Sequence, residues 1–275
     1  MSEITNANQL TKDEFRKLIR RNKTWYWIGG FAILAMVVGA LAGGPIGAFL
    51  APIVAIGAGL GITYWSAGES AEQAFYAAYA KSRGFERSDK GIGRATALLR
   101  KGDKRCTDEM FVGQLSPEFK GSLALFTFTN VSHDSKGNRQ ETDYPYTLTT
   151  MQLPEFAARV SNLGVQRKAG FEMFEKLEDA FRGKMERVEL ESEALDDRFE
   201  IFTTETQDPV FIRRLFSPSF IVWLTDHPWK SLAFEFENGK LCTYVPGHLE
   251  DNASLDGMIA VSCELAGKLQ AEATA

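Results

Sequence analysis

The chain has 275 residues, with 31 Lys+Arg against 36 Asp+Glu, three His, three Cys and 44% hydrophobic residues. These averages, with a mean hydropathy of -0.18, exclude a collagen-like, mucin-like or wholly disordered chain. They hide an uneven distribution: no Asp, Glu, Lys, Arg or His occurs from Thr24 to Trp65, a run of 42 residues. An ionised side chain at mid-bilayer costs roughly 2.5–3.5 kcal/mol, so a gap of that length reads as lipid-embedded.

Residues 1–24 form a basic amphipathic N-terminal segment, with six cations against three anions. Thr11-Lys12-Asp13-Glu14 has the form of a capping box, and Phe15, Leu18 and Ile19 then mark the apolar face of a short helix suited to a membrane surface. Residues 25–65 read as a transmembrane helical hairpin, with spans at 25–42 and 46–64 joined by Gly43-Gly44-Pro45. Two glycines free to take positive φ and a proline that cannot donate an N–H end one helix and start the next. Trp25 and Trp27 open the first span, and Tyr64 and Trp65 close the second, as interface anchors at one face of the bilayer. Pro52 predicts a kink in the second span.

Small residues recur every fourth position: Ala35, Gly39 and Gly43 in the first span, and Gly47, Ala51, Ala55 and Gly59 in the second. In lipid, such a glycine-zipper pattern lets helix backbones approach closely, either within the hairpin or between copies of it. Lys12, Arg16, Lys17, Arg20, Arg21 and Lys23 precede the hairpin, and Lys81, Arg83 and Arg87 follow it. The excess of cations at both ends places both termini in the cytoplasm. A signal peptide cleaved near Ala40-Leu41-Ala42 is the competing reading, weakened by the second apolar run that follows at once.

Residues 66–108 read as a helix and linker. Phe75, Tyr76 and Tyr79 lie on one face of a helix that stops near Gly84, and the polar stretch 88–108 separates it from a domain over 109–275. In that domain Leu123–Thr129 and Tyr144–Thr150 alternate as strands of a hairpin, and 169–185 has the spacing of an amphipathic helix. Phe199–Thr203 reads as a strand, and 208–226 as two short helices, the second capped by Ser217 with Pro218 at its first position. The strands 231–236 and 240–245 flank Asn238-Gly239, the strongest hairpin signal in the chain, and a closing helix runs over 254–269. The fold class is therefore an N-terminal transmembrane helical hairpin followed by a soluble α+β domain with antiparallel hairpins.

The stretch Leu190–Phe202, then Arg213–Phe220, then the Asn238-Gly239 hairpin resembles an uncharacterised bacterial family of two-span membrane proteins with a C-terminal α+β domain of unknown function. In that family an Arg-Phe strand precedes a Leu-Thr-Pro helix motif; here Arg198-Phe199 matches, whereas Phe216-Ser217 stands where Leu-Thr is usual and Leu195 where Phe is usual. The resemblance implies a multi-pass protein of a bacterial cytoplasmic (inner) membrane, in keeping with both termini being cytoplasmic, and carries over no catalytic residues.

Chemistry is sparse. After Trp65 the chain has 25 cations and 33 anions, which argues against a nucleic-acid surface. Cys106, Cys242 and Cys263 form no Cys-x-x-Cys pair and read as reduced thiols. The metal candidates are Cys242, His248 and Cys263, with His227 nearby, although their spacing fits no zinc template. No phosphate loop is present and no cofactor is expected. The expected function is a membrane-anchored, non-enzymatic protein presenting a cytoplasmic interaction or scaffold domain. Its partners are the lipid bilayer, an unidentified protein and a further copy through the hairpin. The alternatives are a membrane-bound hydrolase or ligand sensor with a pocket near His227, Cys242 and His248, and an oligomeric hairpin pore.

Overall fold

The computed structural model describes residues 12, 15–19, 22–168 and 185–274. The capping box at 11–14, apart from Lys12, and the amphipathic helix expected over 169–185, apart from Met185, lie outside the described residues. The chain divides into two compact units, Met1–Ser82 with Glu250–Ala253, and Arg83–Leu249 with Ser254–Ala275.

In the first unit, α1 runs from Asn22 to Arg83 and is broken at Gly44, whose φ of 61° and ψ of -151° lie outside helical space. Only glycine takes that conformation without strain, which is why the predicted turn falls there. Two stretches, Thr24–Ala42 and Leu50–Arg83, are long and apolar enough to cross a membrane by length and composition. Gly44 is the one non-helical residue within α1, so Pro52 leaves the local dihedrals helical where a kink was expected. Phe75, Tyr76 and Tyr79 are buried, and Gly84, at φ 69°, stops the helix where the sequence placed its end.

The second unit is built on a nine-stranded antiparallel sheet. Its strands are β1 (Glu86–Arg87), β2 (Lys104–Gln114), β3 (Lys120–His133), β4 (Arg139–Gln152), β5 (Asn162–Arg167), β6 (Glu186–Val188), β7 (Phe199–Thr203), β8 (Ala233–Glu237) and β9 (Lys240–Pro246). They lie side by side in the order β1-β2-β3-β4-β9-β8-β5-β7-β6. The edge strands are short, two and three residues.

The expected pairing of 123–129 with 144–150 is present, with Leu123 opposite Thr149 and Phe128 opposite Tyr144, in strands twice the expected length. Asp134 closes their loop by accepting from the N–H groups of Lys136 and Asn138, both at 2.8 Å. The β8–β9 turn has Asn238 at φ 54° and Gly239 at φ 77°, the paired positive values of a two-residue primed turn. The stretch 88–108, read as a linker, instead carries the short helix α2 (Ala97–Arg100) and the first residues of β2. Its polar residues alternate with half-buried ones, so its period of two was obscured.

Short helices α3 (Pro154–Ala157) and α4 (Glu193–Asp196) join strands. Helices α5 (Pro209–Leu215) and α6 (Pro218–Asp226) fill the segment expected to hold two, and α7 (Asn252–Thr274) closes the chain. Asp208 caps α5 by accepting from Val210 N at 2.9 Å. Ser217 occupies the N-cap position of α6 but makes no cap hydrogen bond; its hydroxyl donates instead to Glu272 Oε1 at 3.1 Å.

Both faces of the sheet are covered. On one, Leu163, Val165, Phe199, Ile201, Phe234, Phe236 and Leu241 pack with Ile212 and Leu215 of α5, Phe220 and Leu224 of α6, and Leu265 and Leu269 of α7. On the other, Phe126, Phe128, Tyr144, Tyr146, Leu148, Cys242 and Tyr244 pack under Ile92, Leu98 and Leu99 of the 88–103 segment. Each such side chain stabilises the fold by about 1.5–3 kcal/mol on burial, so the second face ties this segment down as firmly as a helix would.

Candidate functional site

The apolar helices of α1 carry large side chains outward around much of their circumference. Phe31 is 60% exposed, Ile33 65%, Leu41 84%, Ile53 66% and Val54 70%. In the most apolar 18 residues of each stretch just 6% and 12% are buried, the reverse of a soluble core helix. Among the expected interface anchors, Trp25 donates its indole N–H to Ile19 O at 2.8 Å, Trp27 is 72% exposed, and Tyr64 meets Phe15 edge-to-face at 5.1 Å. The side chain of Trp65 lies outside the described residues.

Among the described glycines of α1, Gly59 is the one an added Cβ would crowd, at 3.1 Å from Ile28 Cγ1. Ala35, Gly39, Ala51 and Ala55 instead line an open groove of about 610 Å³ with Ala42, Leu50, Val54 and Ala58. Gly43 and Gly47 lie on either side of the Gly44 break. A second apolar hollow of about 440 Å³ is walled by Leu18, Trp27, Ile28, Phe31, Ala58 and Ile62.

In the sheet unit the candidate ligands separate. Cys242 is fully buried in mid-β9, on the face covered by 88–103, and burial raises its thiol pKa well above the ordinary value. Cys263 sits on α7, packed against the core of the opposite face. His227 follows α6, accepts from Trp229 N–H at Nδ1 over 3.2 Å, and has its pKa lowered mainly by burial. His248 follows β9, with Nε2 at 3.2 Å from Thr127 Oγ1 and 3.5 Å from Asp108 Oδ2. No three His, Cys, Asp or Glu side chains among the described residues come together to hold a metal ion.

The structure does bring His248 to residues the sequence did not single out. Thr127 donates to Asp108 Oδ2 at 2.8 Å, and the Cys106 thiol also bonds Asp108. Partial burial first, and then this carboxylate, push the Cys106 thiol pKa up. A nucleophile needs a cation or base beside its thiol, so this arrangement keeps Cys106 in its unreactive form.

The other unanticipated group is Glu235, 1% exposed at the centre of the sheet. Its Oε1 accepts from Leu98 N–H at 2.8 Å, whereas Oε2 has no hydrogen-bond partner in good geometry among the described residues. Desolvation pushes its pKa up to about 7, while the Thr96 hydroxyl and the Leu98 amide hold it from rising further. The neighbouring Tyr146 and Tyr244 hydroxyls are also buried without partners among the described residues, and burial raises both pKa values.

The class these features define is an antiparallel α+β sheet unit preceded by two long apolar helices. No family model matches the chain, and no curated protein matches it. Among solved structures, the chain is similar to the mycobacterial trehalose monomycolate transport factor A, at 11% identity and a TM-score of 0.44, over 70% of this chain and 90% of that one.

Proposed function

We propose that the chain is a membrane-anchored protein whose two apolar helices form a transmembrane hairpin and whose sheet unit is an interaction or scaffold module at the cytoplasmic face of a bacterial inner membrane. The observation that carries this reading is the exposure of Phe31, Ile33, Leu41, Ile53 and Val54 on helices that bury so little of themselves. At about 25 cal/mol per Å² of apolar surface, such helices are unfavourable in water and at rest in hydrocarbon. The uncharged run at 24–65, flanked on both sides by cations, supports the orientation. The acidic balance after Trp65 directs the sheet unit toward a protein partner and away from anionic lipid or nucleic acid.

Paired reporters test the orientation. Green fluorescent protein fused after Ala275 is expected to fluoresce, and alkaline phosphatase inserted after Gly44 is expected to be active. An active phosphatase at the tail, with a dark fluorescent fusion, overturns the proposed topology.

A further inference from the structure

We infer that Glu235 is a proton-operated latch for the 88–103 strap, which is closed while the carboxyl is protonated and released as it ionises. The strap is a device in its own right. It crosses the Phe126, Tyr146 and Tyr244 face of the sheet with Ile92, Ala97, Leu98 and Leu99 buried beneath it. Its two ends are fixed by backbone hydrogen bonds, Ser88 N to Met110 O and Asp103 N to Thr129 O, both 2.9 Å. Its middle is held on the β8–β9 hairpin by polar contacts: Leu98 N–H to Glu235, Arg100 to Glu237 at 2.6 Å, and Asn238 Nδ2 to Ala95 O at 3.3 Å.

Of these holds, the Glu235 contact depends on a charge that the closed state must keep out of water. Its surroundings supply little compensation. On its own strand Glu237 opposes ionisation; from α2, Arg100 favours it but is already paired with Glu237. From β9, Cys242 and Tyr244, and from β4, Tyr146, offer groups whose own ionised forms Glu235 disfavours. Among the described residues, one oxygen has a single backbone donor, and the Thr96 hydroxyl is the remaining group that favours the charged form from the strap. An isolated carboxylate in such a place is expensive, and lifting the strap returns it to water.

The sign follows from linkage. The closed-state pKa lies above the ordinary 4.5, so the neutral carboxyl prefers the closed strap. Closure is fully favoured below the ordinary pKa, weakens as pH rises between that value and about 7, and changes no further above it. Opening uncovers the Tyr146 and Tyr244 hydroxyls and the thiol of Cys242, all buried at present.

Cys242 is therefore the reporter. The test uses the full-length protein carrying Cys106→Ser and Cys263→Ala, labelled with a neutral thiol reagent from pH 5 to pH 8. Rates are corrected for thiolate fraction using the same protein unfolded in urea. The corrected rate is expected to rise more than tenfold up to neutrality and then level off. Glu235→Gln is expected to remove the rise, whereas Glu237→Gln raises labelling at every pH and keeps the slope. Because opening exposes Ile92, Ala97, Leu98, Leu99 and the surface beneath them, the rate is expected to rise with urea, but less steeply than global unfolding does. A flat profile in the otherwise unaltered protein overturns the latch, even where Glu235→Gln fails to fold. So does a urea dependence as steep as that of global unfolding, which would make the opening global.

Discussion

Glu235 shows how a single side chain can set the pH response of a domain. Because folding raises its pKa from 4.5 to about 7, the unfolded state ionises first, and stability is lost as pH rises across that interval. Thermal melts of the protein are expected to fall between these two values and to flatten above them. Glu235→Gln is expected to melt at a nearly constant temperature over the same range. Asp108 acts on Cys106 in a related way: its carboxylate disfavours the thiolate, so Asp108→Asn is expected to shift alkylation of Cys106 to lower pH. Gly121 poses a steric problem in place of an electrostatic one. A Cβ there would lie 2.2 Å from the carbonyl oxygen of Thr150, inside the β3–β4 ladder. Gly121→Ala is therefore expected to destabilise the sheet by about 3 kcal/mol or more in urea titrations, the upper range for overpacking.

At the scale of elements, the turns were the most legible features, because glycine at a required positive φ leaves a signature in the letters. Asn238-Gly239, Gly84 and the Gly44 break all lie where the sequence placed them. Gly239→Ala is expected to cost about 1–2 kcal/mol, the penalty for a Cβ in left-handed space, and to show as a lower urea midpoint with an unchanged slope. Strands whose alternation is clean, such as 123–129 and 144–150, were legible for a similar reason. The strap and the start of β2 were not, since their polar residues face a partly covered surface and blur the period of two. Glu235 was hidden by the same effect. In Ala233-Phe234-Glu235-Phe236 it alternates like a solvent-facing residue, and it is buried because a segment distant in sequence closes over the second face. The polar cluster of Asp108, Thr127 and His248 joins β2, β3 and the end of β9, a juxtaposition no local pattern encodes. Ser217 carries the reverse lesson: it holds the cap position by letter, yet its hydroxyl finds a better partner in Glu272.

At the scale of the whole molecule, a basic segment and an uncharged apolar run over 24–65 precede an acidic portion folded around its own core. A charge placed within the first helix separates a lipid-buried hairpin from an apolar soluble one. Leu34→Lys is expected to lower membrane integration by about 2.5–3.5 kcal/mol, read as the inserted fraction in a translocation assay. Exposed positions of the sheet unit, by contrast, tolerate such a change. The most direct test of the anchored reading is extraction of cell membranes with alkaline carbonate, followed by flotation of the vesicles. The full-length protein is expected to stay with the floated lipid after the wash. Recovery in the soluble fraction, with an integral-protein control retained, would contradict the account.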